Sequence, residues 1–320
     1  MLKGEIGLVA DIGATNARFA LVGEDGALRS PRVYKVAEHP SLAEAIGKFL
    51  NDEGGAAPTH AVLAIAAPIT GDELRMLNHP PWSFSIEALR GALQLETLRL
   101  VNDFTANAYA IPFLKQSDLT QIGGGAPRDG SPTAILGPGS GLGVSALIPS
   151  PGGAVAIEGE GGHATMAATT LQEAAVLANL RAKYDHVSAE RLLSGPGLVN
   201  IYEALCALSG VFSADLEPAE IARAGIAGPD QFARETLDMF CAMLGGFAGN
   251  LALAFGARGG VYIAGGIAPK LGDYLVKSQF RTAFESKGRL KGYLTEIPTF
   301  VITHDAPALL GAASLLARRS

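Results

Sequence analysis

At 320 residues the chain exceeds the length at which one hydrophobic core usually suffices, so two lobes are expected. Its formal net charge is −6 and its pI about 5.6, with no basic stripe; nucleic acid is excluded as a natural partner, and an anionic ligand must be held by local backbone amides or a metal. Cys206 and Cys241 are the only cysteines, each within an apolar helical pattern and without zinc spacing, which points to core thiols of a reduced compartment. The run MLKGEIGLVADIG is too short for a signal peptide before Asp11 interrupts it. The apolar stretch 247–255 carries Gly249 and Asn250 and reads as a buried helix.

The chain opens on VADIGATNARFALV at 9–22, an apolar strand, a glycine-containing turn and a second strand. A strand at 32–36 leads to a helix at 41–52, where Leu42, Ala45, Ile46, Phe49 and Leu50 keep a helical period. A buried strand at 60–66 ends at Ala67-Pro68, a helix follows at 85–93 with Ser85 as N-cap, and a strand at 97–101 runs into Asn102-Asp103 and a helix at 104–111. This order predicts an α/β lobe with a mixed sheet. ILGPGSGLGVSALI at 135–148 then repeats the opening plan 126 positions on, within a second sheet at 133–149. Helices are expected at 171–183, 196–208 and 231–256, and a strand at 260–263 ending at Gly265-Gly266 returns to the duplicated core. A last strand at 301–305 leads into a helix at 307–318, capped by Asp305 or a neighbour. The lobe boundary falls near 108–112, with Pro112 as punctuation, and a second crossing near 302–306 lets the closing helix pack back on the first lobe.

Either glycine turn alone is an ordinary β-hairpin. The two together, with Gly13 aligned on Gly139 and with Asp11, Thr15, Asn16 and Ser140 in the turns, point to a phosphate clamp whose glycines take positive φ and admit a ligand closely. No Walker loop competes, since Gly47-Lys48 runs into Phe49, and the protein-kinase motifs are absent. Asp11 would repel phosphate unless a cation intervened, so it either orients Mg²⁺ through water or caps the turn. Asp103, at the carboxyl end of a predicted parallel strand, is placed either to accept a hydroxyl proton or to cap the helix that follows. Glu160 and His163 lie on the glycine-rich loop GEGGHATM at 159–166, suited to closing over a small ligand; His163 has no second His or Cys at metal-ligand spacing. Glu190, in HVSAERLLSGPG, reads equally as a partner of Arg191 or of an external cation.

Jointly, ADIGATNARFAL, AIAAPITGD, VNDFTANAYAIP, GPGSGLGVSAL, GEGGH, HVSAERLLSGPGLVNIYEAL, GGVYIAGGI and HDAPALLG resemble the bacterial ATP-dependent glucokinases of the sugar kinase, Hsp70 and actin superfamily over nearly the whole chain. The resemblance implies a two-lobed α/β fold of the actin-like ATPase type, with a ribonuclease H-like duplicated core and a cleft between lobes. It divides the chain into a small α/β lobe at 1–110, joined by the C-terminal helix at 305–320, and a large α+β lobe at 111–304. It makes Asp103 the catalytic base and Asn102 a sugar ligand, with Glu160, His163 and Glu190 holding glucose hydroxyls and His163 toward the reducing end. Asp11, Gly13, Ala14, Thr15 and Asn16 match the first phosphate motif, Ala14 standing where many members have glycine. Gly139, Ser140, Gly141 and Gly143 match the second, with Ser140 in place of a common threonine, and Gly265 and Gly266 match the adenosine motif. Pro80-Pro81 before Trp82 marks a departure in a loop near the sugar.

The implied activity is transfer of the γ-phosphoryl group of ATP to the 6-hydroxyl of glucose with Mg²⁺, the first step of glycolysis, in the cytoplasm. Neither nucleic acid nor membrane is an implied partner, and a homodimer is an allowed assembly. Three other readings compete. A kinase of another aldohexose would share the base and clamp. A repressor of the related ROK group would need a DNA-binding extension and a Cys-rich zinc motif, and a noncatalytic sugar sensor would be expected to have lost the base that Asp103 supplies.

Overall fold

The apolar run from Leu8 to Ile12, buried on both faces apart from Asp11, forms the central strand of a five-stranded sheet in the computed structural model, which describes residues 6–67, 69–76 and 82–317. The Pro80-Pro81 departure lies outside the described residues. By its internal contacts the chain divides into two units, Met1–Lys115 with His304–Ser320, and Gln116–Thr303.

In the first unit β1 (Gly7–Ile12), β2 (Asn16–Val22) and β3 (Leu28–Lys35) form an antiparallel meander. Then come α1 (Leu42–Asp52), β4 (His60–Ile65), a small ribbon of β5 (Glu73–Arg75) and β6 (Ser83–Ser85), α2 (Ile86–Ala92), β7 (Thr97–Asn102) and α3 (Asp103–Ala110). The sheet order is β3-β2-β1-β4-β7, with β4 parallel to both β1 and β7. Serine side chains start two of the helices: Ser41 Oγ accepts the Glu44 N–H at 3.2 Å and Ser85 Oγ the Ala88 N–H at 3.0 Å. The buried stripe of α1, Leu42, Ala45, Ile46 and Phe49, packs on a core that includes Phe19, Leu63 and Trp82.

The second unit holds β8 (Leu119–Gly123), β9 (Thr133–Pro138), β10 (Leu142–Ser150), β11 (Gly153–Gly159), α4 (Leu171–Arg181), α5 (Gly195–Leu208), α6 (Pro218–Ala227), α7 (Gln231–Phe255) and β12 (Val261–Ile263). Four short helices follow, α8 (Ala268–Leu271), α9 (Asp273–Lys277), α10 (Phe280–Glu285) and α11 (Lys291–Thr295), then β13 (Thr299–Ile302). Its sheet order, β11-β10-β9-β12-β13-β8, repeats the order of the first unit and adds β8 antiparallel at one edge. Strands β8 and β11 and helices α6 and α8 to α11 are additions to the elements expected from sequence. Among the described residues α7 is the one helix long and apolar enough to cross a membrane, and it is instead a core element, packed against α5, α6 and α10.

After β13 the chain returns to the first unit as α12 (Pro307–Ala317), which lies along α3 with Gly311 directly on the Ala106 carbonyl. Just before it the His304 ring Nδ1 accepts the Ala306 N–H at 3.1 Å.

Candidate active site

Parallel pairing brings the carboxyl ends of three strands of the first unit to one level, since Ile12 is opposite Ile65 and Ile65 opposite Asn102. The β1–β2 turn and Asn102-Asp103 therefore emerge at the same sheet edge, with β1 and β7 two strand spacings, about 10 Å, apart. The capping role is taken by Asn102, whose Oδ1 accepts the N–H groups of Phe104 at 2.8 Å and Thr105 at 3.3 Å. Asp103 is thereby moved on to the first position of α3, where its Oδ1 accepts the Phe104 N–H at 2.9 Å.

In the first hairpin the Gly13 N–H donates to the Asn16 carbonyl at 3.0 Å and leaves Ala14-Thr15 at the tip. In the second, Pro138 pairs with Leu142, so the tip is the three residues Gly139-Ser140-Gly141. The two segments align in sequence, yet their turns differ by one residue. Contrary to the expectation from sequence, neither Gly13 nor Gly139 has positive φ. A Cβ on Gly139 would meet nothing within 4 Å, and one on Gly13 only the Asn16 carbonyl at an ordinary 3.5 Å. Neither conformation nor packing explains glycine at position 139.

Asp11 does not cap the turn. Arg18 is its direct cross-strand partner, with Nη1 to Oδ2 at 3.1 Å, and burial pushes the Asp11 carboxyl above the usual carboxylate range while Arg18 opposes that rise. Lys35 Nζ donates to Asn16 Oδ1 at 2.9 Å. Sequence reading passed over both cations, although the Asp11–Arg18 pairing follows from counting residues back across the hairpin. Among the described residues no group of three or more His, Cys, Asp or Glu side chains forms a metal cage. The donor set at Asp11, one carboxylate already shared with Arg18, suits Mg²⁺ held chiefly by phosphate and water.

In the second unit β9 and β12 end together, while β10 begins and β11 ends at that same edge, as Ile263 opposite Leu136 and Val144 opposite Gly159 show. This gathers the turn at Gly139, Ser140 and Gly141, then Gly143, then Glu160 and His163, and finally Gly265-Gly266. Gly265, at φ +80°, lies directly on the Pro138 carbonyl, and Ile267 N–H donates to that carbonyl at 3.2 Å. Glu160 precedes a single tight turn whose His163 N–H returns to its carbonyl at 3.0 Å.

Glu190 does not pair with Arg191, whose guanidinium lies 4.0 Å over the Tyr184 ring. Its Oε2 instead accepts the Leu142 N–H at 2.9 Å. His163 and Glu190 line one cavity of about 380 Å³ together with Tyr184, His186 and Arg191. The strip that carries Glu190 is pinned by Ala189 N–H to the Ala164 carbonyl at 2.8 Å and by Thr165 Oγ1 to His186 Nε2 at 2.9 Å. The residues singled out from sequence thus form one set on the edge of each sheet: Asp11, Gly13, Ala14, Thr15, Asn16, Asn102 and Asp103 in the first unit, the rest in the second.

A family profile described as Glucokinase matches residues 8–319. The glucokinase of Paramagnetospirillum magneticum is 50% identical over 311 residues, covering 97% of this chain and 97% of its own length. Among solved structures, a glucokinase from an Antarctic psychrotroph has a TM-score of 0.88 at 35% identity and covers 98% of this chain and 99% of its own. A ROK family glucokinase from Streptomyces griseus, in complex with glucose and AMPPNP, shares the fold at a TM-score of 0.63 and 18% identity, covering 97% of this chain and 98% of its own. The fold is that of the actin-like ATPases, with a mixed α/β sheet in each unit.

Proposed function

Because the chain belongs to the glucokinase family, we infer that it transfers the γ-phosphoryl group of ATP to the 6-hydroxyl of D-glucose, giving glucose 6-phosphate and ADP. The observation that carries the chemistry is Asp103 at the carboxyl end of β7, at the first position of α3 with Asn102 as the cap before it. Its carboxylate takes the proton of the 6-hydroxyl as that oxygen bonds to the γ-phosphorus; the bond from the γ-phosphorus to the bridging oxygen breaks and its electron pair stays on ADP. Asn102, Glu160, His163 and Glu190 bind the sugar hydroxyls. Backbone amides at the two hairpin tips, Ala14-Thr15 and Ser140-Gly141, receive the phosphates, and Gly265-Gly266 leaves room for the adenosine. Asp11 would hold Mg²⁺ through water, and the bound ion supplies charge neutralisation at the phosphates. Cytoplasm is the compartment in which glucose and ATP are both at hand, and a homodimer is one assembly open to the chain.

The test is a coupled assay with ATP against a panel of hexoses, for the wild type and for Asp103→Asn. Glucose should be the preferred acceptor, and the variant should lose about 10²–10⁴-fold in kcat while still binding glucose, since loss of a general base costs that much. Faster turnover of an epimer would reassign the acceptor to another aldohexose. Sugar binding with no turnover in the wild type would make the chain a sensor.

A further inference from the structure

Glu190 touches the second hairpin as well as the cavity. Its Oε2 receives the Leu142 N–H at 2.9 Å, and a Cβ on Gly141 would lie 2.5 Å from that same oxygen, so the carboxylate rests directly on the backbone of the turn. The main chain joins the same two segments again, with Gly195 N–H donating to the Gly139 carbonyl at 2.8 Å. Between these two ties Ser194, 2% exposed, donates to the Glu190 carbonyl at 2.7 Å and accepts the Gly197 N–H at 3.0 Å. Asn200 then fixes the Arg191 carbonyl at 2.8 Å. The strip 190–195 and the turn Gly139-Ser140-Gly141 are therefore one mechanical piece, and Glu190 is its only side chain that also lines the cavity beside His163, apart from the stacked Arg191.

We propose that Glu190 is a positioning residue for the nucleotide hairpin, coupling sugar binding in the cavity to phosphate binding at the 139–141 turn. The inference rests on the sugar and phosphate assignments made above. A carboxylate held by sugar hydroxyls keeps its oxygen on the Leu142 amide and so fixes the turn in the geometry that phosphate needs. A phosphate on the turn fixes the carboxylate for the sugar in the same way. Each ligand removes part of the ordering cost of the other, and linkage makes the effect equal in both directions.

The experiment measures, by calorimetry on the full chain, the Kd of glucose with and without AMPPNP and that of AMPPNP with and without glucose. In the wild type each should tighten the other by about 5-fold or more, the lower end of ordinary coupling. In Gly141→Ala the added methyl meets nothing within 4 Å except the Glu190 carboxylate, so it should displace that group and bring the coupling factor to about one, whatever it does to the affinity of each ligand alone. Glu190→Gln keeps an oxygen for the Leu142 N–H and should weaken glucose binding yet retain the coupling. Glu190→Asp, one methylene short of the Leu142 amide, should abolish the coupling without any backbone change at position 141. A merely structural role would lower stability and leave the ratio of affinities unmoved. Uncoupled binding of both ligands by the wild type, or a wild-type coupling factor in Gly141→Ala and Glu190→Asp, overturns the proposal. A wild type that binds AMPPNP and no glucose overturns instead the sugar assignment on which it rests.

Discussion

Asp11 carries a conflict that its neighbours only partly resolve. Its side chain is 17% exposed and its partner Arg18 35% exposed, so the ion pair is too open to water to repay fully the desolvation of the carboxylate. Burial is the larger influence and the folded-state pKa is raised above its usual 3.8. The folded chain thus binds this proton more tightly than the unfolded chain, so the contribution of Asp11 to stability is fully present below pH 3.8 and is lost as pH rises through the higher folded value. Asp11→Asn cannot ionise and keeps an oxygen for Arg18, so it should be more stable than the wild type at pH 7, with the difference closing toward pH 3.5. Its kcat/KM for MgATP should fall about 10–100-fold, the usual effect of disturbing the surroundings of a bound metal ion. Urea midpoints from pH 3.5 to 7.5 check the first part, and a variant less stable than wild type at pH 7 would show that the Arg18 pairing outweighs burial.

Two glycines on buried helices separate packing from propensity. Gly311 of α12 lies on the backbone of α3 at Ala106, with the Ala110 nitrogen 3.1 Å from where a Cβ would stand. Gly246 of α7 would meet nothing within 4 Å. Glycine in a helix interior costs about 0.5–1 kcal/mol relative to alanine, so Gly246→Ala should gain about that much. Gly311→Ala should lose about 1–3 kcal/mol through overpacking against backbone that cannot turn away. Because α3 starts at Asp103, Gly311→Ala should also lower kcat, whereas Gly246→Ala should not; equal activity in both would mean that α3 does not transmit the strain.

Elements with caps and a clear period were legible in the sequence for the same physical reasons that form them: Ser41 and Ser85 mark true helix starts, and the apolar stripe of α1 matches its buried face. Helix α6 was missed although Pro218 at its first turn and the reciprocal Glu217–Glu220 cap signal it. Strand β11 was missed because it is an edge strand that leaves Val155 and Ile157 exposed, and α8 to α11 are too short to show a period. At the candidate site the residue types and their strand-end positions could be read; the Asp11–Arg18 pair becomes legible only by counting across the hairpin, and the Leu142–Glu190 bond not at all. The first needs the register of a hairpin, and the second joins residues 48 positions apart.

At the scale of the whole chain, the two units have separate cores. One runs from Leu8 to Leu95 and the other from Ala134 to Val301, and the second lies wholly within an unbroken segment. That segment begins and ends at one place, since Ile302 pairs with Leu119 and Thr303 N–H donates to the Asp118 carbonyl at 2.8 Å. The first unit is assembled from two distant stretches, and its second stretch is α12, whose Ala308, Leu309, Ala312 and Leu315 are buried. Fully burying a leucine is worth about 1.5–3 kcal/mol, so the two leucines alone account for about 3–6 kcal/mol. Against a domain stability of about 5–15 kcal/mol, removing the helix takes away much of the margin and also strips the cover from α3. A chain truncated after Thr303 should therefore lose the first unit and keep the second. Limited trypsin digestion followed by mass spectrometry should leave a resistant fragment with ends near residues 116 and 303, while the full chain with glucose and AMPPNP should resist cleavage throughout. If the truncated chain instead keeps both units protected, α12 is an ornament of the first unit rather than part of its foundation. If neither survives, the second unit depends on the first for its folding.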